Sequence, residues 1–170
     1  MVEKDVRIIV ARLTEDPQEF SGTLSRSILE MENEKFVRPV GDIEYELYAQ
    51  LLGTEALIRG KMSQRFVAMC SRCAEDFEFT LEISDFTYCV ETHEKTDILD
   101  LTNELRECII LELPSYPICR DDCLGICQTC HTNLNKGECS CKAEVSNDCW
   151  GALDALKGSL IEDDLKKKEK

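Results

Sequence analysis

Cysteine is the residue type in this sequence best placed to do chemistry. The chain has 170 residues and 11 cysteines, and eight of these fall in short-spaced pairs. Cys70-Ser71-Arg72-Cys73 is the first pair, and Cys119-Arg120-Asp121-Asp122-Cys123 the second. Cys127-Gln128-Thr129-Cys130 follows, and then Cys139-Ser140-Cys141. Two residues between cysteines let both sulfurs turn onto one ion from a tight knuckle, and tetrahedral zinc sites are assembled from two such pairs. One CxxC alone says little, whereas four short-spaced pairs in a single chain point to metal.

The reading depends on compartment, because disulfides persist only where the surroundings oxidise. The N-terminus mixes both signs of charge, and the apolar run from Ile8 to Ala11 stops at Arg12. That is too short for a secretory signal, and no stretch has the length of a membrane span. A cytoplasmic location with reduced thiolates is therefore expected. The odd cysteine count also argues against a closed disulfide framework.

Spacing suggests how the pairs combine. Cys127/Cys130 and Cys139/Cys141 are separated by a short loop containing Asn133, Asn135 and Gly137, which can close on itself as a small zinc ribbon does. Cys119/Cys123 then needs a distant partner, and Cys70/Cys73 is the pair left. Two zinc ions, each held by four cysteines, are expected; one site with a loose remainder is the competing arrangement. Cys89, Cys108 and Cys149 are left over and read as small buried apolar residues.

Other chemistry finds less support. Cys127 to His131 matches the CxxCH haem-attachment pattern, but haem attachment implies export, and the CxC downstream favours metal. A thioredoxin-like CxxC belongs between a strand and a helix, whereas Cys70/Cys73 lies between strand-like segments. A redox-responsive zinc-thiolate switch remains as the alternative function. His93 and His131 are the only histidines, and His93 reads as a solvated loop residue. No glycine-rich nucleotide cradle occurs. No catalytic constellation emerges, and the chain is not expected to be an enzyme.

The elements that must position these cysteines change character along the chain. Val6 to Leu13 is β-like, and Ile43 to Tyr48 alternates apolar with polar residues. Ala56 to Gly60 and Phe66 to Met69 follow, after Gly53 as a turn. Phe77, Phe79, Leu81 and Ile83 form one alternating set, and Phe86, Tyr88 and Val90 another. Asp100 can cap a helix with Leu101, Leu105, Cys108 and Ile109 on one face, ended by Pro114. Ser146 or Asn147 can cap a last helix carrying Cys149, Trp150, Leu153 and Leu156, stopped near Gly158. The expected fold is α+β: a mainly antiparallel sheet or open barrel, a central helix, a cysteine-rich zinc-binding loop region and a short C-terminal helix. Residues 1–98 form the strand-rich half. Residues 99–158 hold the helix and zinc-binding segment, packed with the first half as one domain, and residues 159–170 form a charged, disordered tail.

The formal charge is −14, and zinc bound by thiolates makes the balance more negative. A nucleic-acid binder carries a basic footprint, which this composition lacks. A basic protein is the better electrostatic partner.

Several of these segments resemble the YceD family of large ribosomal RNA subunit accumulation proteins. Cys70-Ser71-Arg72-Cys73-Ala74-Glu75-Asp76-Phe77 is similar to its CxRCxxxF signature. Asp100-Leu101-Thr102 through Leu111-Glu112-Leu113-Pro114 resembles its helix. Cys119 to Cys141 resembles CxxxCxGLCxxCGxNLNxxxCxC, and Trp150, Leu153 and Leu156 its closing helix. The departures are Ile126 for the usual leucine and His131 for the usual glycine. The resemblance covers roughly residues 5 to 158. It implies a cytosolic factor needed for accumulation of large-subunit ribosomal RNA, with no known enzymatic activity; with the charge, a ribosomal or ribosome-assembly protein is the expected partner. It leaves any direct contact with ribosomal RNA open.

Overall fold

The computed structural model describes residues 2–92 and 98–141. The expectations for His93, the terminal helix around Cys149 and Trp150, and the charged tail fall outside the described residues. The chain divides into two compact units, Met1–Ile126 and Cys127–Lys170.

The first unit is built on a four-stranded antiparallel meander, β2 (Gln18–Leu24), β3 (Val37–Leu52), β4 (Glu55–Met69) and β5 (Asp76–Glu91), in that spatial order. β2 and β5 are the edges of this sheet among the described residues, so it is open rather than closed into a barrel. A two-stranded sheet pairs β1 (Arg7–Ile9) with β6 (Ile98–Asp100). β1 is shorter than the Val6 to Leu13 run suggested. Its buried residues alternate at Val6, Ile8 and Val10, and the chain then turns into a 3-10 helix, Val10–Arg12, with Leu13 N–H donating to the Val10 carbonyl.

β3 and β4 are far longer than the short runs legible in sequence. They meet in a two-residue turn, Gly53-Thr54, since Leu52 pairs with Glu55. Pro39 is tolerated within β3 because β2 pairs only with Ile43 to Ala49, leaving Pro39 on an edge. A bulge between Val40 and Glu44 adds two residues to β3 and so preserves which face each side chain takes. The irregularity opposite Gly60 and Met62 differs, because β5 gains one residue there. One extra residue flips the parity of a strand. The two alternating sets, Phe77 to Ile83 and Phe86 to Val90, are therefore one continuous strand. The flip also sends Cys89 outward: it is exposed, against the expectation of burial, with its thiol 3.6 Å from a Glu55 carboxylate oxygen.

One face of the sheet is core, with Ile43, Leu47, Ile58 and Phe66 fully buried on it. Helix α1 (Thr102–Glu112) covers this core through Leu105 and Ile109, with Cys108 half-buried beside them. Asp100 ends β6, and its carboxylate accepts from the Thr102 N–H at 3.0 Å; the cap position is Leu101, one residue later than expected, and makes no side-chain cap bond. No described helix is long and apolar enough to cross a membrane.

Candidate metal centres

The β4–β5 connection is itself a metal-type knuckle. Met69 pairs with Asp76, and the six residues between them carry Cys70 and Cys73. Cys70 N–H donates to the Glu75 carbonyl at 2.8 Å, and Ala74 N–H donates back to the Cys70 carbonyl at 2.9 Å. Ala74 takes a left-handed conformation, φ 58°. The second unit repeats the same design: Cys127 N–H donates to Thr132 O at 2.9 Å, His131 N–H to Cys127 O at 3.0 Å, and His131 has φ 58°. His131 thus occupies the position where glycine is common and adopts the glycine-like conformation anyway.

The segment after α1 brings the other half of the first cluster. The Ser71 N–H and hydroxyl both donate to the Pro117 carbonyl, at 2.9 and 2.8 Å. Arg72 Nη1 donates to the carbonyls of Asp121 at 3.0 Å and Cys123 at 3.3 Å. Cys119 N–H points at Cys70 Sγ, 3.4 Å away. Gly125 has φ 78°, and a Cβ there would sit 3.1 Å from the Arg72 carbonyl, so the loop passes close over the knuckle. Ser71 and Arg72 were missed as positioning residues in the sequence. The only signal for them was their place between two ligand-type cysteines.

These contacts gather Cys70, Cys73, Cys119 and Cys123, whose sulfurs all lie within 4.8 Å of one another. Cys70–Cys123 and Cys73–Cys119 are each 3.9 Å. A tetrahedral zinc with Zn–S near 2.3 Å spaces its sulfurs by about 3.8 Å, whereas a disulfide needs about 2.05 Å. The spacing fits a metal ion. Phe77 packs against this cluster, and Cys70, Cys73 and Cys123 are buried.

The second cluster joins Cys127, Cys130, Cys139 and Cys141 at the same mutual limit of 4.8 Å. Its intervening loop is held by Asn133, whose side-chain oxygen accepts from the N–H of Asn135 at 3.0 Å and from its amide at 2.9 Å. Thr129 N–H points at Cys127 Sγ at 3.4 Å, and Thr132 Oγ1 lies 3.2 Å from Cys130 Sγ. Cys127 and Cys130 therefore face two further sulfurs, which is the geometry of metal binding and not of thioether attachment to haem.

Electrostatics divides the sulfurs of each cluster. Burial opposes ionisation of Cys70, but N–H groups of Cys119, Cys73 and Arg72 bring its thiol down to about 6. N–H groups of Cys130 and Thr129 bring Cys127 down to about 6 as well. Burial and the neighbouring sulfurs hold Cys119 up to about 12, and the Cys130 sulfur leads in holding Cys141 up to about 12. Four anionic sulfurs at this distance repel one another, so all of them ionise together only around a cation.

Residues 90–157 match the family model described as large ribosomal RNA subunit accumulation protein YceD. Over this segment the chain is similar to the YceD family. A chloroplastic YceD homologue of Arabidopsis thaliana is 34% identical over 62 residues, covering 36% of this chain and 19% of its own length. An uncharacterized protein of Mycobacterium tuberculosis is 26% identical over 106 residues, covering 54% of this chain and 51% of its own. One from Mycobacterium leprae is 27% identical over 106 residues, with 54% and 49% covered. The chain thus spans about half the length of these mycobacterial relatives and a fifth of the plant one. No solved structure matches. The YceD match includes the cysteines from Cys119 to Cys141 but begins after the knuckle of Cys70 and Cys73. The fold, and not the matched segment, brings that knuckle to the first cluster.

Proposed function

We propose that this chain is a non-catalytic zinc-binding factor that supports ribosome biogenesis through accumulation of large-subunit ribosomal RNA. The observation that carries the proposal is the pair of four-sulfur clusters, the first with sulfur distances that match tetrahedral zinc. Cys70, Cys73, Cys119 and Cys123 would hold one ion, and Cys127, Cys130, Cys139 and Cys141 the other. Full sulfur coordination leaves no position for an exchangeable water or substrate, so zinc here would supply a cross-link and no hydrolytic chemistry. Ser71 and Arg72 orient the first set by gripping the carbonyls of the opposing loop.

The ribosomal role follows the names of the matched family and of the plant relative. The charge of −14 favours a basic ribosomal or assembly protein as the direct partner over RNA itself. A cytoplasmic, reducing location suits eight thiolates. Intact mass under native and then denaturing conditions tests the metal reading, with loss of two zinc ions expected. Affinity capture tests the partner reading: recovery of neither ribosomal proteins nor ribosomal RNA would count against it.

A further inference from the structure

The two clusters share a knuckle geometry and differ in access. In the first, Cys70, Cys73 and Cys123 are 1%, 5% and 6% exposed, and Phe77 packs on them. In the second, no sulfur-bearing residue is buried, and Cys130 and Cys141 are exposed. The donor sets are identical, so inductive differences between ligands cannot separate their reactivity. Whether an oxidant can reach the sulfur can.

We propose that the Cys127, Cys130, Cys139 and Cys141 cluster is a peroxide-sensitive modification site that oxidises before the buried cluster, with an exposed sulfur, Cys130 or Cys141, attacked first. This rests on the zinc reading above and says which site responds. The oxidant is a hydroperoxide. The thiolate of Cys130 or Cys141 attacks one oxygen of hydrogen peroxide, the O–O bond breaks, and a sulfenic acid and a hydroxide form. A second thiolate of the cluster, within 4.8 Å, then attacks the sulfenic sulfur. A disulfide forms and a second hydroxide leaves. Two thiolates have lost two electrons, and the peroxide has gained them. The metal retains two sulfur ligands of four and is released. A dithiol reductant reverses the step.

The test uses the full zinc-loaded chain and stepwise hydrogen peroxide. Zinc stoichiometry is followed by native mass spectrometry, with dimedone present in a parallel sample to trap sulfenic acid. Remaining thiols are alkylated under denaturing conditions and mapped by peptide mass. A one-zinc species should accumulate, with Cys70, Cys73, Cys119 and Cys123 alkylated, a disulfide within the second cluster, and dimedone on Cys130 or Cys141. Cys89 is an exposed cysteine outside both clusters and serves as an internal control. Oxidation of Cys89 with both ions retained would overturn the proposal, as would simultaneous loss of both ions or earlier loss from the first cluster. Dimedone appearing first on Cys127 or Cys139 would show that exposure does not decide which sulfur is attacked, and would overturn that part of the proposal. A starting protein without zinc would instead overturn the underlying metal reading, and this inference with it.

Discussion

Arg72 stands between two ligand-type cysteines yet points its guanidinium at the carbonyls of Asp121 and Cys123. It ties the hairpin knuckle to the loop that brings the other two sulfurs. Replacing Arg72 with alanine removes both charge-assisted bonds, with an expected cost of about 1–2 kcal/mol. Zinc affinity at the first cluster should fall on the order of tenfold. Chelator competition measures this, and an unchanged affinity would show that the loop docks without Arg72. Ala74 and His131 both hold φ 58°, where a Cβ is strained. Ala74→Gly and His131→Gly should each stabilise by about 0.5 kcal/mol, once the extra freedom of glycine in the unfolded chain offsets part of the relief. Thermal melts of the zinc-loaded variants would reveal it. In metal-free protein, Cys70 and Cys127 should ionise near pH 6, well below the ordinary thiol value of 9.0. Their folded values are depressed, so their contribution to stability is present above about pH 9 and fades as pH falls through 6. The pH dependence of alkylation at these two sulfurs checks this.

Among the elements, β4 and β5 do most to set the first site, because the hairpin tip between them is the knuckle. Their register depends on the close approach of β3 and β4 at Gly60. A Cβ at Gly60 would collide with the Glu46 carbonyl and would lie 2.8 Å from the Leu47 Cα, both backbone atoms that have no side-chain freedom to yield. Gly60→Ala should therefore destabilise the first unit by roughly 3 kcal/mol or more. Urea unfolding is the measurement, and a loss under 1 kcal/mol would mean that the strands can separate at that point. The one-residue bulge opposite Gly60 and Met62 has a consequence further along β5, since it turns Phe86 inward and Cys89 outward. Helix α1 buries Leu105 and Ile109, two of the residues on its expected apolar face, but its cap is Leu101 and not Asp100. The helical period is a local feature, and the apolar stripe needed only a sheet to cover.

At the scale of the whole molecule, the core of the first unit is made of aliphatic and aromatic side chains, and the first sulfur cluster forms a separate buried group. Removing zinc should leave the sheet folded and both clusters closed on average, while the loop of residues 117–126 and the second cluster open more often. Far-ultraviolet circular dichroism should keep its strand signal after chelation, while amide exchange should accelerate selectively around Cys119 to Cys141. Collapse of the strand signal would show instead that the metal holds the sheet together. The sequence alone carries the short-spaced cysteine pairs, the local closure of Cys127/Cys130 with Cys139/Cys141 and a mainly antiparallel sheet. These follow from spacing and period, which act over a few residues. Tertiary structure decided the strand lengths, the open form of the sheet, the outward turn of Cys89 and the difference in burial between the two clusters. Strand extent and face depend on partners and bulges distant in sequence, and burial depends on what packs above a site. The joining of Cys70/Cys73 to Cys119/Cys123 was reached in sequence only by elimination. The fold gives it a physical cause, because Ser71 and Arg72 capture backbone carbonyls 46 and 49 residues away.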